Sequence, residues 1–162
     1  MNGDVERTVR QSVIDRLIDR TPGRGDAPMT FNQSVAALKR SLLRDVEWLL
    51  NSRRIAEPAS DAFPEVQRSV YHYGLPDISS LSGDAEAVQR TLVRSIEDAL
   101  QLFEPRLTAV RVQAVESEET GTRQIRFAIE GLLRMEPNPE LIVFDTVLDS
   151  TSGTFRVGAT DA

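Results

Sequence analysis

Apolar residues recur at helical spacing near the start of the chain. Residues 5–20 carry valine, leucine and isoleucine at every fourth position or beside it, which predicts a short helix with one apolar face. The following segment, TPGRGDAPMT, contains two prolines and two glycines, which favour a flexible linker. We therefore divide the chain into a docking helix with its linker, residues 1–28, and a main domain, residues 29–162. The docking helix should bind a partner or the domain surface without completing the core.

Two longer helices are predicted within the main domain. Asn32 would cap the first of them. Its apolar stripe comprises Val35, Leu38, Leu42, Val46 and Leu49. The polar cluster before Pro58 should end it, and a short helix ending at Gly74 should follow. Asp84 then opens the second long helix. Its stripe comprises Val88, Leu92, Ile96, Leu100 and Phe103.

The period of the apolar residues changes to two after residue 106. Apolar and polar residues alternate over 110–114 and 125–129, with ESEETGTR as a hairpin connection between these two strands. The run ELIVFDTVLD is apolar on both faces and indicates a central or doubly covered strand, and TFRV indicates a short edge strand. Helices followed by antiparallel hairpins predict an α+β fold with a small, mainly antiparallel sheet.

Composition narrows the classes of function. A chain of 162 residues with 19 basic and 25 acidic side chains has a net charge of -6, which argues against a nucleic-acid binder. No run approaches the length of a membrane span, and MNGDVERTVR lacks the apolar core of a signal peptide. With no cysteine in the sequence, we expect a cytoplasmic protein without disulfides and without direct membrane insertion.

The sequence offers little for cofactor chemistry. His72 is the only histidine, which excludes a multi-histidine metal site, and glycine-rich phosphate-binding motifs are absent. We expect His72 to be a packed or surface imidazole and expect no metal or cofactor.

Three motifs in order carry a family resemblance. SLLRDVEWLLNSRR, YHYGLPDISSL and LFEPRL, followed by strands, resemble the TssE baseplate subunits of bacterial type VI secretion systems. Those subunits belong to the lysozyme-like wedge family of contractile phage tail baseplates. The resemblance covers roughly residues 10–157. It implies a non-catalytic structural subunit that helps the contractile sheath begin to assemble.

The same resemblance implies the partners. They would be the other wedge subunits, TssF, TssG and TssK, and the sheath subunits TssB and TssC. The baseplate would lie in the cytoplasm, docked at the inner membrane complex.

Two arginine-containing motifs are candidate partner-binding sites. Arg53 and Arg54 end the first long helix, where they form either a solvated charged face or forked contacts to a partner. Glu104, Pro105 and Arg106 form either a helix-to-strand corner locked by an ion pair or a recognition corner for a neighbouring subunit. If they form a recognition corner, changing Arg106 to alanine should weaken association and leave the fold nearly intact.

A third candidate is the C-terminal strand TFRVG, which contains Arg156. Nothing evident in the sequence covers it, so we expect an open edge to which a sheath strand adds by β-augmentation. Arg156 to proline would be the probe of that edge.

The lysozyme-like label also raises an alternative, a peptidoglycan-cleaving muramidase. Glycoside hydrolysis usually needs two carboxyl groups that flank a cleft, and Glu104 with Asp45 or Glu47 could be nominated. Because 25 acids in 162 residues make such a pair easy to find, this signal has almost no specificity.

Overall fold

The computed structural model describes residues 8–19, 22–23, 25, 28–57, 59–77, 84–115 and 124–159. Its helices are α1 (Val13–Leu17), α2 (Phe31–Asn51), α3 (Pro64–Gln67), a 3₁₀ turn (Val70–His72) and α4 (Ala85–Phe103). Its strands are β1 (Leu107–Val115), β2 (Gln124–Leu133), β3 (Glu140–Asp149) and β4 (Thr154–Ala159). Helices followed by an antiparallel sheet confirm the α+β class.

The four strands form one antiparallel sheet in the order β1-β2-β3-β4. Each strand therefore pairs with the next along the chain, as short hairpins require. β3 lies between β2 and β4, which confirms the central position that its two-faced apolar pattern predicted. The segment ESEETGTR lies outside the described residues, and the antiparallel pairing of β1 with β2 agrees with a hairpin connection there. β1 and β4 are the edges of the sheet.

One face of the sheet packs against α2 and α4. Alternate residues of each strand point into this layer, while their neighbours, such as Arg126 and Asp145, are exposed on the opposite face. The layer is closed by large side chains that are almost fully buried: Leu42, Leu50, Leu92, Ile96, Leu100, Phe127, Ile129, Phe144, Leu148 and Phe155. Each such side chain contributes about 1.5 to 3 kcal/mol when it leaves water.

The caps of the two long helices differ in how well the sequence indicated them. Asp84 caps α4 as predicted, and its carboxylate accepts a hydrogen bond from the Ala87 N–H at 2.6 Å. α2 is capped by Thr30 and not by Asn32. The Thr30 hydroxyl accepts from the Gln33 N–H, and the Gln33 side chain accepts from the Thr30 N–H. This capping box satisfies two helix-end donors, so the helix begins earlier than expected.

The first helix is much shorter than the predicted span of residues 5–20. α1 has five residues, none of them buried, and residues 8–12 are not helical. Polar contacts hold the segment against α2, because the Val9 N–H donates to the Ser34 hydroxyl at 2.9 Å and Asp15 pairs with Arg44 at 2.8 Å. Val9 packs against the core, whereas the apolar residues from Val13 onward are exposed: Val13, Ile14, Leu17 and Ile18. Docking of this segment on a partner stays a prediction.

Backbone hydrogen bonds join the two ends of the region between α2 and α4. The Arg54 N–H donates to the Leu75 carbonyl at 2.8 Å, and the Leu75 N–H donates to the Ser52 carbonyl at 2.9 Å. Gly74 has φ +101°, a left-handed value that a residue with a side chain rarely adopts. The predicted short helix before Gly74 is present as α3 and the 3₁₀ turn.

Candidate functional site

The helix-to-strand corner is a tight turn formed by residues 104–107. α4 ends at Phe103 because Pro105 disfavours helical geometry at Glu104. The Leu107 N–H then donates to the Glu104 carbonyl at 3.1 Å, which closes the turn immediately before β1. The predicted change from helix to strand at this tripeptide is confirmed.

The turn brings the Glu104 and Arg106 side chains together as a bidentate pair. Arg106 Nε lies 2.6 Å from one carboxylate oxygen of Glu104, and Nη2 lies 2.5 Å from the other. Glu104 is only 4% exposed, and this guanidinium is its counter-charge. Two parallel charge-assisted bonds of this kind are strong and directional. The ion pair that the sequence offered as one interpretation is therefore present.

Arg106 also joins the corner to α2. Its Nη2 donates to Asp45 at 2.8 Å, and its Nη1 donates to the Ser41 hydroxyl at 3.3 Å. Asp45 in turn accepts from Arg44, which reaches Asp15 on α1. We call this set the ionic network: Asp15, Ser41, Arg44, Asp45, Glu104 and Arg106.

Electrostatics at the corner favour a charged guanidinium. Burial by itself lowers the pKa of Arg106, but the hydrogen bonds and charges of Glu104 and Asp45 outweigh it and raise the pKa above its usual value. Burial raises the pKa of the Tyr73 hydroxyl, and the charges of Asp45 and Glu104 add to that effect. The Arg106 guanidinium therefore stays charged at neutral pH.

This geometry lends no support to the muramidase alternative. A general acid must carry a proton to the leaving group, whereas Glu104 accepts guanidinium protons on both carboxylate oxygens. Asp45 is bound by Arg44 and Arg106, and Glu47 accepts the backbone N–H of Val157. All three nominated carboxylates are engaged in holding elements of the fold together.

The two arginines at the end of α2 occupy different surroundings. Arg53 Nη2 donates to the Gly153 carbonyl at 2.9 Å, which ties the helix end to the turn between β3 and β4. The Arg54 side chain is exposed, and no hydrogen bond or ion pair joins it to a described residue. Arg54 is therefore the better placed of the two for an outside partner, and a partner-binding role stays a prediction for both.

The expected open edge at β4 is wrong, because α2 covers it. The Asn51 side chain accepts from the Phe155 N–H at 2.8 Å and donates to the Phe155 carbonyl at 2.9 Å. Glu47 accepts from the Val157 N–H at 3.3 Å. Both outward backbone groups of Phe155 and the N–H of Val157 thus have partners already, and such covering is a usual protection of edge strands.

The position of Arg156 in β4 also makes proline at this residue unsuitable as a test of the edge. Since Phe155 and Val157 point their N–H groups outward, the Arg156 N–H points inward, to its pairing partner Val147 on β3. Proline at Arg156 would therefore break the sheet and leave the edge donors in place. The Arg156 side chain itself is exposed, and its proposed contact with a partner stays a prediction.

The opposite edge, β1, has a single cap among the described residues. Glu97 of α4 accepts from the Val112 N–H at 2.8 Å. Val112 therefore points its backbone groups away from β2, and by alternation so does Ala114. No described residue accepts the Ala114 N–H on that side.

The residues that cap the edges were not found from the sequence. Asn51, Glu47 and Glu97 are ordinary polar residues on amphipathic helices, and their backbone partners lie 104, 110 and 15 residues away. No local pattern marks such contacts.

Two further expectations concern ligands and membranes. The His72 ring nitrogen Nε2 accepts from the Ala59 N–H at 3.3 Å, so the imidazole is part of the local packing. The described residues contain no group of side chains arranged to hold a metal ion. Within the same residues, no helix combines the length and apolarity that crossing a bilayer requires.

Two helices cover one face of a small sheet, and charged residues join the elements to each other. Residues 36–138, more than half of the chain, match the family model described as baseplate wedge protein gp25. The chain belongs to this baseplate wedge family, and membership supports a structural role in a phage-tail-like baseplate. None of the curated proteins compared with the chain matches it.

Proposed function

We propose that the chain is the TssE-type wedge subunit of a type VI secretion baseplate and that it initiates assembly of the contractile sheath. The observation that carries the proposal is the wedge-family match, which extends from residue 36 within α2 through α4 and the first two strands. The wedge partners would be TssF, TssG and TssK, and the sheath partners TssB and TssC. The baseplate would form in the cytoplasm and dock at the inner membrane complex.

The sheath strand would pair with β1 and not with β4. Three hydrogen bonds from α2 occupy the outer side of β4, whereas one from α4 occupies the outer side of β1. Beyond Val112, Ala114 offers its N–H and C=O to an incoming strand. Such main-chain pairing is the usual basis of β-augmentation.

The test is proline at Ala114, which removes an outward donor and no bond to β2. Proline is tolerated at edge positions whose N–H faces solvent, so the fold should persist. Ala114→Val keeps the donor and is the matched control. Baseplates containing each variant would be purified with TssF, TssG and TssK and then supplied with TssB and TssC.

Counting sheaths by electron microscopy gives the outcome. Ala114→Pro should incorporate normally and nucleate several-fold fewer sheaths than Ala114→Val. Equal numbers of full-length sheaths would exclude the β1 edge as the template. Failure of the unaltered chain to co-purify with the wedge subunits would refute the proposed function itself.

A further inference from the structure

Glu97 lies where α4 passes over the outer edge of β1. Its neighbour Ile96 is fully buried in the core, and Asp98 on its other side is exposed. The Glu97 side chain therefore leaves the helix at the boundary of the core and reaches the backbone of β1, where it accepts from Val112 at 2.8 Å. A helix that packs on one face of the sheet thus also caps one backbone donor on its edge.

The chemistry of this cap differs from that of the β4 cap. Asn51 carries both a donor and an acceptor and binds both backbone groups of Phe155, so it mimics a neighbouring strand. An ionised carboxylate only accepts, so Glu97 binds the Val112 N–H and leaves the Val112 carbonyl unbound by it. The β1 cap is a single bond from a flexible side chain, and one side-chain rotation removes it.

We propose that Glu97 is a gate on the β1 edge: its carboxylate holds the Val112 N–H and must withdraw before a strand of another polypeptide pairs with β1. While the gate is closed, an incoming strand meets a carboxylate where it needs a backbone donor. Once the gate is open, Val112 and Ala114 present successive outward donors and acceptors. The proposal deepens the proposed function, because it names the residue that controls access to the edge assigned there.

The test uses the isolated full-length chain, with a second copy of the chain as the incoming strand. Glu97→Ala removes the cap, and Glu97→Asp keeps the charge but shortens the reach. Glu97→Gln retains an acceptor oxygen. Asp98→Ala is the matched control, since it removes one negative charge from the same helix at an exposed position without a bond to β1.

Two measurements are needed, amide hydrogen exchange at Val112 and sedimentation over a range of concentrations. Loss of the charge-assisted bond should speed exchange at Val112 by about tenfold or more in Glu97→Ala and Glu97→Asp. The same two variants should self-associate at concentrations where Asp98→Ala and Glu97→Gln behave as the unaltered chain does.

Several results would contradict the proposal that Glu97 controls the β1 edge. Equal exchange and equal association in Glu97→Ala, Glu97→Asp and Asp98→Ala would show that the bond has no consequence. Faster exchange at Val112 without new association would show that the bond exists but does not control strand pairing. Because these measurements need no baseplate, a failure here is distinguishable from a failure of sheath initiation.

Discussion

Replacing Arg106 with alanine should destabilise the domain strongly. Of the two interpretations that the sequence left open, the recognition corner implied that the fold would tolerate the loss of Arg106, and the corner locked by an ion pair did not. In the structure Arg106 is the partner of Glu104, whose side chain is 5% exposed, and of Asp45, whose side chain is 26% exposed. Removing the guanidinium leaves a buried carboxylate without a counter-charge.

The size of the stability loss follows from how deeply the Glu104–Arg106 ion pair is buried. Breaking a buried ion pair by removing one partner costs about 3 to 5 kcal/mol, whereas an exposed pair contributes about 0 to 1 kcal/mol. Because the Arg106 side chain is 22% exposed, water can partly take the place of the lost guanidinium in the variant. We therefore expect a loss at the lower end of the range for a buried pair, about 3 kcal/mol. For a chain of this size the melting temperature should fall by about 6 to 12 °C.

The assay is thermal and urea unfolding followed by circular dichroism. Arg90→Ala is the control, because it breaks an exposed i,i+4 pair with Glu86 and should cost about 0.5 kcal/mol or less. Adding Glu104→Gln to Arg106→Ala should recover part of the loss, since it removes the unpaired charge. A loss no larger than that of Arg90→Ala would refute the reasoning and restore Arg106 as a purely interfacial residue.

Two further predictions test other parts of the fold. Gly74→Ala should cost at least about 2 kcal/mol, because φ is +101° and an added Cβ would lie 2.4 Å from the Ser52 carbonyl oxygen. Urea unfolding would measure this, with Gly25→Ala, where nothing lies within 4 Å, as a control that should change little. Burial raises the pKa of Asp15, but hydrogen bonds from Ser12 and Arg44 outweigh the effect of burial and hold the pKa below its usual value of 3.8. The stability that the Asp15 carboxylate contributes is therefore complete above pH 3.8 and is lost as the pH falls through the pKa of Asp15 in the folded chain. The difference in unfolding free energy between the unaltered chain and Asp15→Asn should therefore be constant near neutral pH and vanish in acid, and a difference that persists in acid would contradict this assignment.

Much of the fold could be predicted from local pattern. The change of apolar period after residue 106 predicted helices followed by strands, and the two-faced apolar run over residues 140–149 predicted a central strand. Asp84 and Pro105 marked the start and end of α4 correctly because capping and proline geometry act within a few residues. The cap of α2 was misplaced by two residues because Thr30 and Asn32 are both acceptable capping residues, and the choice depends on the reciprocal bond with Gln33.

The candidate site was predicted less completely. The motif of residues 104–106 was recognised, and the pairing of Glu104 with Arg106 was one of two interpretations. The sequence did not predict the contacts of Arg106 with Asp45 and Ser41, because α2 and the corner are brought together only by folding. The edge at β4 was judged open for the same reason.

The amino-acid sequence was enough to predict the order and type of the elements, the corner between α4 and β1, and membership of a baseplate wedge family. These features depend on periodicity, on turn chemistry and on motifs, all of which involve residues close together in the sequence. Contacts made on folding set which charges are buried, which way α1 faces and which sheet edge is covered. Those features depend on contacts such as Asn51 with Phe155, 104 residues apart, whose pairing no local preference specifies.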